Sequence, residues 1–168
     1  MESLALDRLV IESILAIFVF TVLVVGSLAY NARLWMHDYP PVIRDLQAPL
    51  TAGEKRLQNV LAAVLLVLIV GGLFLSGQAL EAVSGGSIGF VAVFVHLYII
   101  FNVVNLWDAV VLDWFMILVL KPAFVFLPGS ELHMDAYTNW PMHITNYFKG
   151  VVIGAVISAV IALAVVVI

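Results

Sequence analysis

Apolar residues in this chain do not alternate with polar ones. They run in four long, nearly unbroken stretches at about 9–30, 60–80, 88–120 and 148–168. Each reaches the roughly 20 residues that a hydrocarbon layer of about 30 Å demands of a helix rising about 1.5 Å per residue. Membrane β-strands would be shorter and would alternate, so the pattern predicts helices rather than a barrel. The expected fold is an all-α integral membrane protein. It is a single four-helix transmembrane domain over 1–168, arranged as two hairpins, with long connections between helices 1 and 2 and between helices 3 and 4. As one helix, the stretch 88–120 would be about 50 Å long. It therefore tilts, breaks, or leaves the bilayer near Asp108.

The connections carry their own signals. Asp38-Tyr39-Pro40-Pro41 stops helix 1, because proline lacks an N–H and disfavours helix in the residue before it. Thr51 followed by Glu54 fits a capping box, so helix 2 begins several residues before the lipid. Pro128-Gly129 marks a turn, and Pro141 suits the first turn of helix 4. Ser27-Leu28-Ala29 resembles a leader-cleavage site. Its leading segment carries Glu2 and Asp7 against Arg8, however, and the apolar run exceeds an h-region, so helix 1 is expected to be retained.

Composition agrees with lipid as the solvent: 64% of residues are hydrophobic and 11% charged, where soluble domains run near half and a quarter. The net charge of −4 hides a segregation. Of the seven Lys and Arg residues, Arg33, Arg44, Lys55, Arg56, Lys121 and Lys149 flank the two long connections, and only Arg8 lies on the other side. The positive-inside rule then places both long connections in the cytoplasm and both termini outside, in a multi-pass protein of the cell membrane. No basic run points to nucleic acid. The absence of cysteine removes thiol nucleophiles, disulfides and thiolate metal sites.

The chemistry is concentrated in the third stretch and the connections. At about 100° per residue, Asn102, Asn105, Asp108 and Asp113 fall within an arc of about 140°, with His96 off it. Polar side chains on one face of an apolar helix meet other helices, water or a ligand rather than lipid. On a regular helix Asp108 and Asp113 diverge by about 140° and cannot share one substrate atom. His96 has no evident partner on another span and reads as a helix–helix hydrogen bonder before a haem ligand. His37, Asp38, Glu131, His133, Asp135 and His143 are metal-capable, since imidazole with carboxylate suits zinc, iron or manganese, but their spacing matches no known ligand motif. Gly150, Gly154, Ser158 and Ala162 recur every fourth residue and line a face for close helix packing, within the monomer or between copies. All four tryptophans fall on the side of the long connections, whereas the opposite side offers little beyond Ser76, Gln78 and Glu81.

Three readings follow. The first is a binding or accessory subunit working at the cytoplasmic face, with the bilayer, a second copy or another membrane protein as partner. The second is an enzyme or metal-dependent protein built on Asp108, Asp113 and the loop histidines. The absence of a GxSxG, P-loop or dinucleotide motif weighs against it. The third is an oligomeric channel or transporter lined by helix 3, since helices 2 and 4 are too apolar to line a pore in one chain. Ligand and cofactor stay unspecified at this level.

Overall fold

The computed structural model describes residues 2–86 and 88–168, with the backbone alone for residues 2–5. Ser87, at the end of the predicted outer turn, lies outside the described residues. These are helical, without strands, and four helical runs are long and apolar enough to cross a membrane: Leu6–Asp38, Ala52–Val83, Phe90–Leu120 and Trp140–Val167.

Helix α1, Glu2–Asn31, tightens into a 3₁₀ segment, Ala32–Asp38, where the Asn31 side chain accepts the Arg33 N–H at 3.0 Å. The Tyr39-Pro40 step is extended, and Pro41 opens the short helix α2, Pro41–Arg44. Helix α3, Ala52–Val83, starts on the capping box: Thr51 Oγ1 accepts the Glu54 N–H at 3.2 Å, and Glu54 Oε2 accepts the Thr51 N–H at 2.8 Å. Both orphan amides are thus satisfied reciprocally. Helix α5, Trp140–Val167, begins with Asn139 accepting from the Met142 N–H, and carries proline in its first turn. Helices α3 and α5 therefore extend well beyond the apolar stretches 60–80 and 148–168.

The third run changes winding. Helix α4, Phe90–Trp107, is α-helical, and Asp108–Leu120 continues it as a π-helix. The π segment ends at Lys121, which sits in the left-handed region at φ 46° and donates its N–H to the Met116 carbonyl at 2.8 Å. Pro122 follows and cannot continue the ladder.

Side-chain contacts give the helix directions. Near one end Glu12 of α1, Ser76 of α3 and His96 of α4 meet; at the other Asn31 reaches Glu54, and Trp107 donates to Thr21 Oγ1 at 3.0 Å. Helix α5 crosses α4 closely. A Cβ at Gly150 would overlap the Asn105 amide, and one at Gly154 the Phe101 ring. Ser158 and Ala162 are fully buried, so this small-residue stripe packs inside the chain.

Three apolar clusters hold the molecule. Leu73, Val93, Leu97, Ile161 and Val165 join α3, α4 and α5. Val24, Leu28, Leu112 and Met116 join α1 to the π-helix. The third lies in the connections, where Tyr39, Ile43, Leu127 and Tyr137 pack together. The two long connections are thus bound to each other: Tyr39 donates its hydroxyl to the Val125 carbonyl at 2.6 Å, and Gln47 donates to the Pro128 carbonyl at 2.8 Å.

Candidate functional site

A cavity of about 320 Å³ opens beneath this loop layer. Its apolar wall comes from Phe20, Val24 and Leu28 of α1 with Leu112 and Met116 of the π-helix. Its polar wall gathers Asp38, Asp108, Asp113, His143, Asn146 and Lys149. Trp35, Tyr39 and Tyr137 complete the lining.

The winding of the third run brings the two aspartates to this wall together. A π-helix closes i→i+5 bonds, so residues five apart stack on one face instead of diverging. The divergence predicted for Asp108 and Asp113 on a regular helix is corrected by this local unwinding. Their partners differ. Asp113 Oδ2 lies 3.2 Å from His143 Nδ1. The other ring nitrogen of His143, Nε2, faces the Tyr137 carbonyl at 3.2 Å. An acceptor stands at each nitrogen, so the ring donates to both only in its protonated form. Asp38 Oδ2 sits 3.1 Å from His37 Nε2 at the exposed rim. Asp108, in contrast, has no hydrogen-bond or ion-pair partner among the described residues. Lys149 reaches the Asn146 side chain at 3.4 Å.

The aromatic residues use their polar tips elsewhere. Trp35 donates Nε1–H to Ser27 Oγ at 2.9 Å. The Tyr137 hydroxyl accepts the Leu127 N–H at 3.0 Å and lies 2.8 Å from Ser130 Oγ. Burial, with neighbouring Tyr137 as the second cause, pushes the Tyr39 hydroxyl well above the usual phenol range.

The remaining sequence candidates fall into separate places. Asn102 donates to the Tyr98 carbonyl of its own helix at 2.9 Å, and Asn105 to the Tyr147 carbonyl of α5 at 3.1 Å. Both side chains serve the backbone. Glu131 accepts the Gly129 N–H at 3.2 Å. Among the described residues no three His, Asp or Glu side chains are placed to hold a metal ion, so His37, Asp38, Glu131, His133, Asp135 and His143 do not form one ligand set.

At the far end of the bundle lies a group that the sequence reading missed. His96 Nε2 is 3.0 Å from Ser76 Oγ and 3.1 Å from Glu12 Oε2, and Ser76 donates to the same carboxylate oxygen at 2.5 Å. Arg8 Nε pairs with Glu12 Oε1 at 2.6 Å. His96 therefore has partners on two other spans, contrary to its isolated appearance. Glu12 was the available signal, an acidic residue inside an apolar span with arginine four residues earlier. Arg33 is likewise committed: Nε donates to Glu54 Oε1 at 2.7 Å and Nη2 to the Ala48 carbonyl at 2.9 Å. Comparison with protein-family models, curated proteins and solved structures gives no match.

Proposed function

We propose that this chain is a small membrane protein that acts by binding, and that its site is the cavity under the two joined connections. The charge bias of the sequence places that end in the cytoplasm and the termini outside. The observation that carries the reading is Asp108: a carboxylate without a hydrogen-bond or ion-pair partner among the described residues, on the wall of a cavity within a membrane-spanning run. Helix α4 has 18 residues before it, about 27 Å of rise, which puts Asp108 close to the inner edge of a hydrocarbon layer of about 30 Å. Intramembrane ionisable groups are rare and costly unless paired or functional. Small-molecule pockets run from about 300 to 1,000 Å³ and combine apolar walls with a few converging polar groups; this one is at the small end of that range.

Binding is favoured over catalysis by His143. Asp113 and His143 form a pair of the kind that activates a nucleophile, but the Tyr137 carbonyl occupies the nitrogen such a mechanism needs. Native mass spectrometry of the chain released from lipid tests the reading. The expected result is a retained small molecule on the wild type that is lost in Leu112→Trp, a variant that fills the cavity, while circular dichroism shows unchanged helix. Bare chain mass for both proteins, with no saturable binding of added small molecules to the wild type, would overturn it.

A further inference from the structure

The cavity wall carries three carboxylates, Asp38, Asp108 and Asp113, against one lysine, Lys149, and one histidine, His143. Asp113 pairs with His143 and Asp38 with His37, while Lys149 reaches only the neutral side-chain oxygen of Asn146 and keeps its own charge on the wall. Arg33, the nearby guanidinium of the first connection, is spent on Glu54 and the backbone of Ala48 and Pro49. Among the described residues Asp108 makes no hydrogen bond or ion pair, and carboxylates outnumber cations on the wall it belongs to. The excess on the wall is negative, so a ligand that completes the site brings positive charge to Asp108.

The kind of cation follows from the rest of the wall. A divalent metal needs several oxygen or nitrogen ligands at one point, and no such convergence exists among the described residues. An organic ammonium needs one carboxylate, and it gains from aromatic ring faces within about 6 Å. Trp35, Tyr39 and Tyr137 line the cavity, and their N–H and O–H groups are already engaged with Ser27, Val125 and Ser130. What they offer a ligand is ring surface. The opposite wall, built from Phe20, Val24, Leu28, Leu112 and Met116, is wholly apolar and continuous with the membrane-spanning run. A hydrated inorganic cation would leave that wall unused, whereas an alkyl chain would fill it. A carboxylate or phosphate ligand would meet Asp108 with like charge.

We infer that the cavity binds an amphiphilic ammonium compound, its charged nitrogen on Asp108 and its apolar body against the α1 and π-helix wall. This rests on the reading of the cavity as a binding site and names its ligand class. The ammonium can come from a free alkylamine or from the head of an amine lipid, and the two sources share the same chemistry at Asp108.

The test uses the full chain in maltoside micelles, which carry no amine, titrated with hexylammonium, hexanol and hexanoate and read by tryptophan fluorescence and melting temperature. Saturable binding of hexylammonium at least about tenfold tighter than hexanol is expected, with hexanoate weakest, because a hydrogen bond to a charged group carries that discrimination. Asp108→Asn should weaken hexylammonium at least about tenfold and leave hexanol unchanged. Equal affinity for hexanol and hexylammonium in the wild type overturns the inference, and that comparison needs no variant to fold. So does an unchanged hexylammonium affinity in Asp108→Asn. An amine-headed lipid retained in native mass spectra assigns the lipid source, and a bare chain with saturable hexylammonium binding assigns the free amine. A retained molecule without an amine keeps the cavity as a site and removes the ammonium class. A bare chain that ignores all three probes removes both.

Discussion

Asp108 and Asp113 are the same side chain one π-turn apart, and their surroundings separate their roles. Asp113 is held by His143, so removing its charge leaves a partly buried imidazole without its partner. Asp108 has no such dependant, and its charge is a cost to the ligand-free protein. Intramembrane carboxylates cost about 2.5–3.5 kcal/mol at the bilayer centre and less toward the interface. Asp108→Asn is therefore expected to raise the stability of the ligand-free protein by about 1 kcal/mol, while Asp113→Asn lowers it. Urea or thermal unfolding followed by circular dichroism decides, and loss of folding in Asp108→Asn would assign that carboxylate to the scaffold instead. Tyr39 gives a second prediction, in pH. Its hydroxyl is buried and donates to the Val125 carbonyl at 2.6 Å, and its pKa is raised above the ordinary value of 10.0. The unfolded chain therefore releases this proton at lower pH than the folded one. The contribution of Tyr39 to stability is full below about pH 10 and is lost as pH rises from there through the folded value. The melting temperature should fall above pH 10 in the wild type. Tyr39→Phe should flatten that fall and lower stability near neutrality by about 1 kcal/mol through the lost hydrogen bond.

At the scale of elements, the α4–α5 crossing depends on glycine at two positions, Gly150 and Gly154. A methyl group at Gly150 would collide with the Asn105 amide that caps the Tyr147 carbonyl, whereas Gly71 and Gly72 of α3 have open space around them. Gly150→Ala is expected to cost about 1–3 kcal/mol as overpacking, and Gly71→Ala to stabilise by up to about 1 kcal/mol through helix propensity. Equal effects in thermal unfolding of the two variants would contradict this packing. The same elements show what a one-dimensional reading reaches. Four membrane-length helices, the capping box at Thr51 and Glu54, and the proline in the first turn of α5 were legible, because each depends on residues within a few positions of one another. The partners of His96 were not, since Glu12 and Ser76 lie 84 and 20 residues away along the chain. Nor was the alignment of Asp108 with Asp113, because a helical wheel assumes the α period and a π-helix replaces it.

Across the whole molecule, polar structure is divided between the two ends, and the cavity of about 320 Å³ lies at one of them. The Arg8, Glu12, Ser76 and His96 group fastens α1, α3 and α4 with its charges answered internally. At the other end the two connections, more than 80 residues apart in sequence, share the Tyr39–Val125 and Gln47–Pro128 hydrogen bonds and form a lid over the cavity. Of the charged residues lining that cavity, Asp38 and Lys149 are exposed and Asp108 is less so. Which compartment supplies the cavity's ligand follows from the orientation of the bundle, and the absence of native cysteine makes orientation directly measurable. Single cysteines at Asp45 and Asp135, exposed positions of the two connections, and at Ala82, exposed at the opposite end, would report the sides. With a membrane-impermeant maleimide on intact cells, Ala82→Cys is expected to react, and Asp45→Cys and Asp135→Cys only after lysis. The six basic residues flanking the connections against one opposite them set that expectation. Reaction of Asp45→Cys in intact cells would turn the cavity toward the exterior, and its ligand would then have to be an extracellular or outer-leaflet amine. Reaction after lysis alone would confine the search to amines of the cytoplasm and the inner leaflet.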